Sequence, residues 1–127
     1  MNKNYVEKMR NHLSGESIRI KYNVLKNDAG HTDEEMGEIC PEIKTFSDLK
    51  FKPHTSSPDG VMSSLDFDND HFISVVGGTG LYGNGVTTFE VGFKGGRGDF
   101  VVEGHLSPEE VTELMVDIQS KSPMNYE

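Results

Sequence analysis

Val61-Met62-Ser63-Ser64-Leu65-Asp66-Phe67, Asp68-Asn69-Asp70 and His71-Phe72-Ile73-Ser74-Val75-Val76 form the stretch on which the fold turns. Two runs rich in β-branched and aromatic residues flank a polar turn, so residues 61–76 predict an antiparallel hairpin. A glycine-rich segment, Gly77 to Gly85, leads into a predicted strand over Val86–Phe93. There Phe89, Val91 and Phe93 share one face, with Thr88 and Glu90 on the other. Lys94-Gly95-Gly96-Arg97-Gly98 then turns the chain into a further strand over Asp99–His105.

A helix follows at once. Ser107 is placed as its N-cap, Pro108 as N1 and Glu110 as the capping-box residue, with Leu106 and Val111 as a hydrophobic staple. Val111, Leu114, Met115 and Ile118 recur at helical spacing. Upstream, Tyr5 or Val6, Met9 and Leu13 predict an N-terminal helix that Gly15 stops. Ile18, Ile20, Tyr22 and Val24 alternate with polar residues and predict a half-buried strand. Thr32-Asp33-Glu34-Glu35 matches a capping box, and Gly37 and Pro41 limit any helix it opens. The expected fold class is α+β: a small, mostly antiparallel sheet with an N-terminal and a C-terminal helix. Residues 1–122 read as a single domain and residues 123–127 as a flexible tail.

The chain has 127 residues, with 12 Lys and Arg against 21 Asp and Glu, for a formal charge of -9. That balance argues against binding a nucleic-acid backbone, whose affinity comes from Lys and Arg. No apolar run is long enough to span a bilayer, and the N-terminus lacks a secretory apolar core. A single cysteine, Cys40, makes a reducing cytoplasm the expected setting. Hydrophobic residues are only 34%, so a homo-oligomer is expected to complete the core.

Gly78-Thr79-Gly80-Leu81-Tyr82-Gly83 fits the dinucleotide pattern letter by letter, but a strand follows where that motif requires a helix. What remains is a loop able to offer backbone amides to an anion. Asp66, Asp68 and Asp70 imitate a calcium loop, yet His71 and Gly77 stand where its glycine and bidentate glutamate belong. No histidine or cysteine spacing indicates a metal, and no cofactor is implied. His54-Thr55-Ser56 and His105-Leu106-Ser107 both read H-x-S, as in two-histidine phosphodiesterases. Glu90 and Glu103 are further acid–base candidates, while an acidic setting raises the Cys40 thiol pKa and blunts it as a nucleophile.

Leu49-Lys50-Phe51-Lys52-Pro53-His54, Gly60-Val61-Met62, Phe67 with Asn69, and Ile73-Ser74-Val75-Val76 carry a resemblance. It continues through Leu81-Tyr82-Gly83, Phe89-Glu90-Val91 and Gly104-His105-Leu106-Ser107-Pro108-Glu109-Glu110-Val111. Over about residues 46–120 the chain resembles small uncharacterised bacteriophage accessory proteins. It departs from them at Asn69-Asp70, where they carry Asn-Gly, and at His105, where they carry an aromatic.

The resemblance implies a phage accessory protein working in the cytoplasm of an infected bacterium. Proteins of this kind and size often act by binding. The leading expectation is non-catalytic sequestration of a small cyclic nucleotide, as a counter to host defence. Tyr82 and His54 would stack on the base, Gly78, Gly80 and Gly83 would offer amides, and Lys52 and Arg97 would meet phosphate. The alternative is an acidic inhibitor. In it the segment Asp28–Glu42, with Glu109, Glu110, Glu113 and Asp117, engages a basic surface on a host nuclease or regulator. A phosphodiesterase is the third.

Overall fold

The hairpin at residues 61–76 forms as its sequence predicts, and the strands on either side extend it. A computed structural model describes residues 1–95 and 99–122; Arg97 and the expected tail at 123–127 lie outside the described residues. The strands are β1 (Lys52–Pro53), β2 (Val61–Asp66), β3 (Phe72–Gly77), β4 (Phe89–Lys94) and β5 (Phe100–Leu106). They form one antiparallel sheet in chain order, which leaves β1 and β5 as its edges. The register Val75↔Val91 and Ile73↔Phe93 lines up the inward residues, and these side chains are buried.

β4 begins later than the alternation from Val86 suggests. Asn84 Oδ1 accepts the amides of Val86 (2.8 Å), Thr87 (2.8 Å) and Thr88 (3.1 Å), so they are diverted into a local turn. Val86 is left 79% exposed.

The helices are α1 (Lys3–His12), α2 (Ile18–Tyr22), α3 (Asp33–Ile39) and α4 (Pro108–Gln119). α2 replaces the strand expected at Ile18–Val24 and runs on into a π-helical segment, Asn23–Asp28. The alternating pattern was degenerate, because residues 18, 22 and 25 also make a helical stripe. Ser17 decides the start: its hydroxyl accepts the Ile20 amide at 3.2 Å. Burial follows the helical stripe, with Tyr22 and Leu25 inside and Ile20 44% exposed. The capping boxes of α3 and α4 form as expected at Thr32–Glu35 and Ser107–Glu110. The class is therefore α+β, with α1 and α4 as the first and last helices.

Two hydrophobic clusters meet at α4. Val111, Met115 and Ile118 pack with the sheet, whereas Val116 packs with Leu25, Met36 and Ile39 among the helices. The 68–70 turn closes the far end of α4. Asn69 Nδ2 donates to the carbonyls of Ile118 (2.8 Å) and Lys121 (3.1 Å), so this turn serves as a helix C-cap.

Candidate functional site

The glycine-rich loop makes much of its hydrogen bonding with the chain itself. Gly78 N donates to Gly83 O at 2.9 Å, and Leu81 N to Gly78 O at 3.1 Å. Asp59 fills the place of an anion: its carboxylate accepts the Thr79 amide (2.9 Å) and the Thr79 hydroxyl (3.0 Å). Those bonds, the amide foremost, hold the Asp59 carboxyl below its usual range. Tyr82 N donates in turn to Glu90 Oε1 at 3.1 Å. Two internal carboxylates thus take the Thr79 and Tyr82 amides, next to the glycines expected to offer theirs.

Six of the seven residues expected around a nucleotide are described, and they lie on several parts of the sheet and loop. His54 lies beside Gly60, which in turn packs against Gly78 on the β2 side of the loop. Gly83 packs against the Phe89 backbone, and Tyr82 stands over Gly104 of β5. Gly80 is exposed in the turn between them. Lys52 is exposed on β1, the edge opposite β5, and Arg97 is outside the described residues. Tyr82 itself is 65% exposed, with its ring edge-on to His105 at 6.2 Å between centroids.

The two H-x-S elements are likewise separated, one following β1 and the other at the junction of β5 and α4. His54 Nδ1 accepts the amides of Ser56 and Ser57, both at 3.0 Å, so its neutral ring carries the proton on Nε2. That leaves no free lone pair for a general base. Ser107 is committed as the cap of α4. Cys40 is buried, and burial, followed by the Glu42 charge, raises its thiol pKa. Among the described residues, no group of three or more His, Cys, Asp or Glu is placed to hold a metal.

A groove of about 820 Å³ opens instead along the exposed flank of α4. Glu109, Glu113 and Asp117 recur every four residues and so line one side of that helix. Asp33, at the start of α3, and Glu103 of β5 complete an acidic rim over the apolar surfaces of Phe46, Leu106 and Leu114. The opposite wall is tied to α4 by side chains. Phe46 N donates to Thr112 Oγ1 at 3.0 Å, and Gln119 pairs with both backbone groups of Lys44 at 2.8 and 2.9 Å.

Two cations of the chain already pair with the groove's carboxylates, and one of them, Lys26, stands 3.9 Å from Asp33. Arg19 donates to Glu113 (2.9 Å) and to Asp117, with its guanidinium 5.7 Å from the Tyr22 ring centroid. Burial opposes the Arg19 charge, but the Asp117 and Glu113 hydrogen bonds outweigh it and its pKa stands raised. Burial, then the charges of Glu113 and Asp33, push the Tyr22 phenol up to about 12. Glu110 is committed to the Ser107 amide at 3.0 Å. Glu103 and Glu109 join no ion pair among the described residues.

The acidic alternative named Glu109, Glu110, Glu113 and Asp117, and Asp33 within its segment; the fold brings all five to one groove. Glu103 and Tyr22 were not among them, since only the packing of β5 and α2 against α4 puts them there. No family model, curated protein or solved structure matches the chain.

Proposed function

We propose that the protein acts without catalysis, by presenting the α4 groove to a basic surface on another protein. The observation that carries this reading is the convergence of Asp33, Glu103, Glu109, Glu113 and Asp117 around an apolar floor in one groove. Arg19 illustrates the recognition the groove favours: a guanidinium held by paired carboxylates against an aromatic ring. Glu103 and Glu109 are the carboxylates left to meet an incoming Lys or Arg.

In the setting the phage resemblance implies, the partner is a host nuclease or regulator whose basic face the groove covers. The site of action is then the cytoplasm of the infected bacterium. Such an interface is steered by charge and weakens as salt rises.

Calorimetric titration against a basic ribonuclease tests this, with arginine-rich and lysine-rich peptides of equal charge as further probes. Binding should weaken with salt, and Glu103→Lys with Glu109→Lys should lower affinity by about tenfold or more. A double variant that binds as tightly as wild type would defeat the reading.

Sequestration of a cyclic nucleotide at the Gly77–Gly85 loop is the second reading, favoured by the exposed Tyr82 ring beside His105. Its test is depletion of a cyclic-nucleotide panel, followed by recovery of intact ligand after heat denaturation. Cleaved ligand would instead indicate the phosphodiesterase.

A further inference from the structure

Among the described residues β5 pairs only with β4, and most of its length is exposed. The direction of its free hydrogen-bonding groups follows from the ladder. Gly95 N donates to Asp99 O at 2.7 Å, and the register continues as Phe93↔Val101 and Val91↔Glu103. Backbone groups alternate in direction along an antiparallel strand, so residues 99, 101 and 103 turn theirs toward β4. Phe100, Val102 and Gly104 therefore turn theirs toward the open edge.

The same alternate residues make an apolar stripe on the face of the sheet away from α4. Phe100 is 60% and Val102 47% exposed. Gly104 has no side chain, but Tyr82 stands over it and continues the stripe. An exposed edge strand of this kind, without proline or lysine, is a template for pairing.

We infer that β5 pairs antiparallel with β5 of a second copy, about a two-fold axis at Val102. In that register Val102 faces Val102 of the second copy, and Phe100 faces its Gly104 beside its Tyr82. The paired segment ends at Gly104, because His105 leaves the extended conformation (φ 58) and lies beside the Tyr82 ring. Moving the axis one residue either way sets Asp99 against Glu103, or Glu103 against Glu103, which like-charge repulsion disfavours. The axis also falls on a residue whose N–H and C=O face outward, as a hydrogen-bonded pair requires. It crosses the sheet, so both helical layers lie on one side of a continuous sheet and both acidic grooves flank the axis.

The test is sedimentation of the full chain, with two variants at the axis. Wild type should dimerise reversibly. Val102→Pro removes an N–H that β4 does not use, and should weaken dimerisation by about tenfold or more. Val102→Cys should cross-link rapidly on mild oxidation, because the two Cα atoms would stand about 5.5 Å apart. Ser64→Cys, exposed on β2, is the control and should not. A wild-type chain that remains monomeric up to its solubility limit overturns the proposal. So does a folded Val102→Pro chain that dimerises unchanged, or a Val102→Cys chain that cross-links no faster than the control.

Discussion

Asp59 shows how a single carboxylate sets the character of the glycine loop. It takes both the amide and the hydroxyl of Thr79, and its pKa lies below that of an unfolded aspartate. A depressed folded pKa means the interaction is fully present above the unfolded value of about 3.9 and is lost as pH falls through the folded one. Asp59→Ala should therefore show at neutral pH the loss of Thr79 amide protection that wild type shows only in acid. Hydrogen exchange followed by NMR reads this directly, and unchanged protection in the variant would remove Asp59 from the account. Two glycines separate space from flexibility. A Cβ on Gly83 would lie 2.6 Å from Phe89 Cα, backbone that cannot move without β4, so Gly83→Ala should cost about 1–3 kcal/mol. A Cβ on Gly92 meets only the end of the Phe100 ring, which is exposed and free to swing. Gly92→Ala should cost less than about 1 kcal/mol by urea denaturation, and equal losses at the two sites would contradict this contrast.

Caps set the element boundaries, and α4 matters most because both clusters lean on it. Ser107 Oγ accepts the Glu110 amide at 3.2 Å, so Ser107→Ala should cost about 1 kcal/mol in chemical denaturation. Ser107→Asp should restore most of that loss, whereas an equal loss in both variants would mean the hydroxyl does something other than cap. The capping boxes of α3 and α4 and the hairpin were legible in the sequence because each is written in a few adjacent residues. Ile18–Val24 was not, since apolar residues at 18, 20, 22 and 24 fit a strand, those at 18, 22 and 25 fit a helix, and Ser17 favours the helix. The candidate site divides along the same line. Glu109, Glu113 and Asp117 announce themselves at four-residue spacing on one helix. Glu103 joins them only through the course of β5, and Tyr22 only through a helix that the alternation concealed.

At the scale of the whole molecule the charge of -9 is unevenly placed. Asp33, Glu103, Glu109, Glu110, Glu113 and Asp117 face one groove, where Lys26 also lies and Arg19 offsets Glu113 and Asp117. Carboxylates every four residues along α4 repel one another by a few tenths of a kcal/mol per pair, and screening relieves that repulsion. The same screening weakens the Arg19 bridges, but those pairs are in contact and partly covered by protein, so they are screened less. Net repulsion therefore controls the response to salt, and the melting temperature should rise as sodium chloride is added from low ionic strength. Glu103→Lys with Glu109→Lys should raise the melting temperature in low salt and flatten its dependence on salt. Arg19→Ala should do the reverse, because it leaves Glu113 and Asp117 facing each other without their cation. Thermal melts of the three proteins across a salt series decide the matter. A wild-type melting temperature that falls with salt would mean that the Arg19 bridges, rather than the acidic rim, dominate the electrostatics of this fold.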